Sequence, residues 1–347
     1  MRGAIIGFGT IAAGHMVGYS RIEDLTIAAV VDVSKERRQF VADTYGLPTY
    51  SDFAKLVANE DLDFIDICTP PSSHEEYSAL GLGHDLHVLC EKPVFLPAED
   101  GYERQLATIR EADRVYYPCH VYKFAPVLAS MKERIQAPDF GKVLGANFRT
   151  LRTGHAKGVP EWRPHWRREP ELSRGGILRD HGPHSVYLAM NLTGCVPESV
   201  SCLTGRLRGG GEYADSEDTA LVRMRCADDV EIAMTLSWSS GHRSTGYSIM
   251  GGSGSVVVNG DDLTYMAGGA VVRTSIESGF DDPSHQEWFH RMLLDFMGVV
   301  AEPARQTELI REALITSFVI DGAYASAADD GRWVDCRVPE SLLAPGA

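Results

Sequence analysis

The sequence predicts two domains: an α/β domain with a doubly wound parallel sheet, then an α+β domain with a large, mostly antiparallel open sheet. Three observations predict this. Short apolar runs alternate with helical stretches through the first third of the chain. A G-x-G-x-x-A turn follows the first apolar run. Beyond residue 124 the pattern changes to successive β-branched runs joined by short turns.

Residues 2–7, 26–32, 63–69, 86–90 and 114–119 read as strands. They are nearly continuous in hydrophobicity, as expected of strands buried on both faces of a parallel sheet. Stretches 11–20, 34–45, 52–59, 74–84 and 99–112 between them have helical length and composition. The expected division is 1–123 for the first domain and 124–347 for the second. A helix is expected over 126–136. Strands follow over 143–152, 199–207, 218–226, 230–238, 246–250, 254–258 and 270–276. Short turns such as Ala227-Asp228-Asp229 imply antiparallel pairing. Helical segments cover about 175–192, 285–300 and 306–327. No long polar linker separates the halves, so a cleft between closely packed domains is expected.

The 347 residues include 33 basic and 48 acidic side chains, a net charge of −15. So acidic a surface repels phosphate backbones and argues against general nucleic-acid binding. No apolar run approaches the roughly 20 residues that cross a bilayer. The seven cysteines are odd in number, scattered and without a C-x-x-C pair. That pattern fits neither a disulfide framework nor a zinc ribbon, and suits a reducing cytoplasmic compartment.

Gly7-Phe8-Gly9-Thr10-Ile11-Ala12 lies directly after a strand and opens a helix. Gly7 permits the tight turn, Gly9 lets backbone N–H groups approach a pyrophosphate, and Ala12 keeps helix and strand close. Asp32 follows Ala12 by twenty residues at the end of the second strand. A carboxylate there accepts hydrogen bonds from ribose hydroxyls and repels a 2′-phosphate. NAD is therefore expected in a Rossmann-type domain. NADP stays open, because Ser34, Lys35, Arg37 and Arg38 follow and can grip a phosphate if they turn inward.

Further motifs carry a resemblance. Thr69-Pro70-Pro71-Ser72-Ser73-His74 lies at one strand end and Glu91-Lys92-Pro93 at the next. Cys119-His120-Val121-Tyr122-Lys123-Phe124 stands where the chain leaves the first domain, and Gly175-Gly176-Ile177-Leu178-Arg179-Asp180-His181-Gly182-Pro183-His184 lies in the second. Together with the glycine turn they resemble the Gfo/Idh/MocA family, named for glucose–fructose oxidoreductase and inositol dehydrogenase. Lys123 departs from the family, which more often has Arg there. The resemblance implies hydride transfer between a nicotinamide cofactor and a hydroxyl carbon of a sugar, cyclitol or related polyol. It implies Lys92, Asp180 and His184 as the catalytic set. Thr69, Pro70, His74, Glu91, Lys92 and His120 join Gly7, Phe8, Gly9, Thr10, Ile11 and Asp32 at the cofactor. It further implies a homodimer or homotetramer formed through the second-domain sheet.

The residues support that chemistry independently. Removing hydride from an alcohol carbon needs a base for the hydroxyl proton, and histidine titrates in the right range. Asp180 and His184 are four apart, so they share a face if both are helical. If the helix starts at Pro183, Asp180 lies just before it. Either arrangement lets Asp180 orient His184. Lys92, at a strand end, can clamp the substrate oxygen, beside His120. His165 and His181 near Asp180 and His184 do not form a recognised ligand spacing, so no metal is expected. Residues 155–174 hold two Trp, two His and four Arg. They form either a loop over the cleft, with Trp162 or Trp166 under the sugar face and Arg163 or Arg167 for its anionic or hydroxyl groups, or a domain-packing or subunit contact. Two other functions are weighed: an NAD-dependent glycoside hydrolase that oxidises its sugar transiently, which the same residues would serve, and a non-catalytic dinucleotide-binding sensor, against which the joint presence of Lys92, Asp180 and His184 counts.

Overall fold

The computed structural model describes residues 1–97, 102–208, 216–280 and 285–343. In the first half the elements are β1 (Arg2–Ile6), α1 (Thr10–Tyr19), β2 (Thr26–Val31), α2 (Lys35–Tyr45), β3 (Thr49–Tyr50) and α3 (Phe53–Asn59). Then follow β4 (Phe64–Ile67), α4 (His74–Gly83), β5 (His87–Glu91), α5 (Glu103–Glu111) and β6 (Tyr116–Cys119). The expected helix 99–112 begins on residues 99–101, which lie outside the described residues.

Among the described residues these strands form a six-stranded parallel sheet in the order β3-β2-β1-β4-β5-β6. The order reverses between β1 and β4, which opens a crevice at the strands' C-terminal ends. The core strands are buried on both faces, with β4 and β6 buried throughout, as their unbroken apolar sequence requires.

The second half contains α6 (Pro126–Ile135), β7 (Val143–Leu151), α7 (Pro170–Ser173), α8 (Ile177–Thr193), β8 (Pro197–Gly205), β9 (Thr219–Cys226), β10 (Glu231–Ser237) and β11 (Ser244–Gly251). It continues with β12 (Gly254–Asn259), β13 (Asp262–Ala267), β14 (Ala270–Ser275), α9 (Gln286–Ala301), α10 (Gln306–Ala328), β15 (Val334–Asp335) and α11 (Glu340–Leu343). Its sheet has nine strands among the described residues, in the order β14-β13-β12-β11-β7-β10-β9-β8-β15. All neighbours are antiparallel except β7 and β10, which run parallel. Ala220, Val222 and Met224 of β9 point inward with Ile232, Met234 and Leu236 of β10. Helices α8 and α10 cover that face.

The second half returns to the first through α9, which packs along α1. A Cβ on Gly18 would come within 2.9 Å of Leu293 Cδ1 and 3.1 Å of the α9 backbone, so only glycine allows this approach. Tyr117 of β6 donates to Asp295 of α9 at 2.8 Å. No helix among the described residues is long and apolar enough to cross a membrane.

Candidate active site

The crevice above β1 and β4 holds a groove lined by Gly7, Gly9, Thr10, Ile11, Asp32, Thr69 and Pro70, among others. Gly7 adopts φ +84°, where its N–H still reaches Val31 O at 2.7 Å. A Cβ there would lie 2.7 Å from Thr69 Cγ2, whereas a Cβ on Gly9 would meet nothing within 4 Å. The turn therefore closes on the β4 end and leaves space above Gly9. Helix α1 starts at that space with no side-chain cap and no acidic residue in its first turn. N–H donors at a helix N-terminus that take no side-chain cap suit a pyrophosphate, and this cradle fits a dinucleotide. Asp32 accepts from Phe8 N and Ser34 N, each at 2.8 Å. Phe8 itself is fully buried and offers the groove no side chain.

Residues 155–174 lie across this groove. Gly158, Val159, Trp162, Trp166, Arg167 and Leu172 line it. The loop is pinned to the first half where Thr10 Oγ1 donates to Lys157 O and Ser34 Oγ donates to Glu161 O, both at 3.3 Å.

A second cavity of about 340 Å³ adjoins the groove and shares Ile11, Cys68, Thr69, Trp166 and Arg167 with it. Lys92, Asp180 and His184 all line this cavity. Lys92 arrives from the end of β5. Its Nζ donates to the Asp180 main-chain oxygen at 2.8 Å and to Oδ1 at 3.0 Å. Arg167 Nε lies 3.5 Å from the other carboxylate oxygen. Burial would raise the Asp180 pKa, but the Lys92 and Arg167 charges hold it well below the usual carboxylate range.

Helix α8 supplies both Asp180 and His184. Its start is fixed by Glu217, whose carboxylate accepts from Gly176 N and Leu178 N at 3.0 Å and from Tyr324 Oη at 2.8 Å. A Cβ on Gly176 would lie 2.0 Å from Glu217 O. This close approach accounts for the glycine before the helix. Asp180 thus sits in the first helical turn.

His184 is buried, and its Nδ1 lies 2.7 Å from Tyr187 Oη. Tyr122 packs on the imidazole at 4.1 Å between centroids. Burial, reinforced by Lys92, holds the His184 pKa well below its ordinary value, so the ring is neutral. Tyr187 in turn accepts from Tyr122 N at 3.2 Å and stacks on His120 at 4.1 Å.

Residues 1–120 match the model of an oxidoreductase family with an NAD-binding Rossmann fold, and residues 128–257 match the GFO/IDH/MocA C-terminal domain. The chain belongs to the Gfo/Idh/MocA oxidoreductases. Relatives include D-glucoside 3-dehydrogenase of Escherichia coli, 30% identical over 56% of this chain and 54% of its own length. D-apiose dehydrogenase of Rhizobium rhizogenes is 25% identical over 64% and 61%. The chain thus spans under two thirds of the length of these curated relatives. The fold is also that of GenD2 from gentamicin A biosynthesis, solved with NAD, at TM-score 0.83, 20% identity and 97% coverage of both chains. Levoglucosan dehydrogenase, solved with NADH and levoglucosan, gives 0.82 at 18% identity over 97% and 99%.

As a Gfo/Idh/MocA Rossmann domain, the first half keeps a buried ionic network behind its glycine turn. His15 of α1 lies between Asp66 (2.6 Å) and Glu91 (3.2 Å), and Tyr19 donates to Asp66 at 2.8 Å. Burial opposes the His15 charge, but Asp66 more than offsets it, and the pKa lies well above the ordinary value. Glu91 also lines the cavity, so this network backs the Lys92 strand end.

Several of the expected site residues lie elsewhere than the two spaces or take other partners. Asp180 bonds Lys92 and approaches Arg167, and His184 is instead held by Tyr187. His74 and His120 line neither the groove nor the adjoining cavity. His74 ties the two strand-end loops together, with Nδ1 2.9 Å from Pro93 O and Nε2 2.9 Å from Thr69 O. His120 pairs with Glu312 at 2.7 Å and supports Tyr187. Trp162 belongs to the nucleotide groove. Arg163 lines neither space and pairs with Glu169 on the exposed side of the loop. Arg152, Tyr187 and Glu217 were not singled out from sequence, and His181 was weighed there only as a metal ligand. Tyr187 alone carried a local signal, three residues after His184 on one helix face.

Proposed function

We propose that the chain is an NAD-dependent oxidoreductase that moves a hydride between the nicotinamide and a hydroxyl-bearing carbon of a sugar, cyclitol or related polyol. The observation that carries this reading is the meeting of Lys92, Asp180 and His184 in a cavity that opens on the nucleotide groove. The sugar dehydrogenases among the relatives support the substrate class.

When bound, the nicotinamide supplies the hydride acceptor or donor. Lys92 holds the reacting oxygen and stabilises negative charge on it, while Asp180 fixes the ammonium. With Nδ1 engaged by Tyr187, His184 Nε2 is the nitrogen left to exchange the hydroxyl proton. The Tyr187 hydroxyl can accept from Nδ1–H, leaving Nε2 basic for oxidation. It can instead donate to Nδ1, leaving Nε2–H acidic for reduction. The choice of NAD rests on Asp32 at the groove. Lys35 is exposed, Arg37 Nε donates to Phe8 O at 2.6 Å beneath the turn, and Arg38 Nη1 donates to Asp32 O at 2.6 Å. None of the three lines the groove.

In this reading residues 1–123 bind the cofactor and 124–347 the substrate and a second copy, and the free thiols fit a reducing cytoplasmic compartment. Sugars, cyclitols and their keto forms, screened with NAD and NADP by absorbance of the reduced nicotinamide, test the proposal. Net NADH formation with a polyol is expected. Sugar cleavage with a recycling bound cofactor would indicate the hydrolase instead, and NAD binding without turnover of any alcohol would indicate a sensor.

A further inference from the structure

The cavity beside the groove holds more positive charge than its carboxylates neutralise. Asp180 faces two cations, Lys92 at 3.0 Å and Arg167 at 3.5 Å. Glu91 is held by His15 at 3.2 Å. Arg179 is paired with Asp321 at 2.7 Å. One cation of the Lys92 and Arg167 pair is therefore unbalanced.

Arg152 adds a second. It follows β7, is 5% exposed, and lines the cavity but not the nucleotide groove. Its Nη1 donates only to neutral acceptors: Leu151 O at 2.9 Å, Ser244 O at 3.1 Å and Thr245 Oγ1 at 3.0 Å. Its Nη2 is buried without a partner, as is His181 Nδ1 in the same cavity. No acidic residue pairs with Arg152 among the described residues. A buried guanidinium without a counter-charge is costly, and buried charges are ordinarily paired. The His181 pKa registers the same field: it is pushed down to about 3 by burial, with Arg152, Lys92 and Arg167 lowering it further. A neutral polyol would leave this excess uncompensated. Arg167 lines both spaces and can also serve the cofactor's phosphates, so Arg152 is the residue that distinguishes a substrate anion.

We propose that the substrate is a polyol bearing an oxyanion, a carboxylate or a phosphate ester, held on the Arg152 and Arg167 side of the cavity while its reacting hydroxyl meets Lys92 and His184. This deepens the oxidoreductase reading and rests on it for the reacting group.

The test uses the NADH-loaded protein for binding, read by cofactor fluorescence, and the NAD-loaded protein for turnover. The ligands are D-gluconate, D-galacturonate and a hexose monophosphate, each beside its neutral counterpart. Oxyanion ligands are expected to bind about tenfold or more tightly than neutral ones, as suits charge-assisted hydrogen bonds. Preference for the acids identifies a carboxylate, and preference for the monophosphate a phosphate. Arg152→Gln should collapse the ratio of anionic to neutral binding, and Arg152→Lys should restore part of it, with NADH affinity kept as the check on folding. Equal binding of acids and neutral sugars overturns the inference, as does an Arg152→Gln variant that weakens both alike. Selective, Arg152-dependent anion binding without turnover of any ligand would keep the oxyanion site and remove the oxidoreductase reading.

Discussion

At the scale of single residues, the site brings the Lys92 ammonium and the neutral His184 imidazole together where one cavity lies against a nucleotide groove. Lys92→Ala removes the only lysine lining that cavity among the described residues. Its kcat/KM should fall by about 10²–10⁴-fold with NADH affinity unchanged, measured by steady-state kinetics and fluorescence titration. A fall of less than about threefold would take Lys92 out of the chemistry. Trp162 gives a contrasting case. It lines the cofactor groove, so Trp162→Ala should raise the KM for NAD several-fold and leave the KM for substrate nearly unchanged. The pH profile carries the third residue-scale expectation. Because burial holds His184 neutral below its ordinary value of 6.5, acidification through 6.5 does not protonate it. The rate of alcohol oxidation should therefore lack an acid limb near 6.5, and a limb centred there would identify a different base.

At the scale of elements, the local motifs were legible because each is written in consecutive residues. The glycine turn, the Glu91-Lys92-Pro93 strand end and the Asp180 to His184 spacing needed no tertiary information. The partners were not legible. Glu217 reaches the α8 start from 41 residues away, and His15 meets Asp66 and Glu91 across two strands. The missed strands have simple causes. β3 and β15 are two residues long, too short to show a period. β13 carries Gly260-Asp261 before it and Gly268-Gly269 after it, turn signals that would have revealed it. His74 shows what tying elements together does for stability. Burial lowers its pKa, but Cys90 and two acceptor carbonyls, Pro93 O and Thr69 O, more than offset that, pushing it up to about 9. The folded state holds this proton more tightly than the unfolded chain, whose value is near 6.5. The stabilisation is therefore complete below 6.5 and is lost as pH rises through about 9, an effect of about 3 kcal/mol. Thermal unfolding of the protein and of His74→Gln should differ most near pH 6 and converge near pH 10. A constant gap across that range would mean the ring is neutral when folded.

At the scale of the whole molecule, one face of the nine-stranded sheet remains uncovered by helices among the described residues. The alternation that sends Ala220, Val222 and Met224 inward sends Leu221, Arg223 and Arg225 outward. Leu203 of β8 is 55% exposed and pairs directly with Leu221, which is 49% exposed. Met250 stands exposed on β11 of the same sheet, and the edge strand β14 is exposed along its whole length, Val271 and Val272 included. Strand alternation was legible in sequence, but which face the helices would cover was not, since that depends on how α8 and α10 return across the sheet. Exposed leucines on an open sheet with an unpaired edge favour association with another copy. Homo-oligomers through this sheet are the expected state, and Leu203→Asp with Leu221→Asp should convert them to monomers in sedimentation velocity. Neither Leu203 nor Leu221 lines the cavity or the nucleotide groove, so the monomer should keep its NADH affinity. A wild-type protein that sediments as a monomer at micromolar concentration would mean that the sheet face is simply solvated.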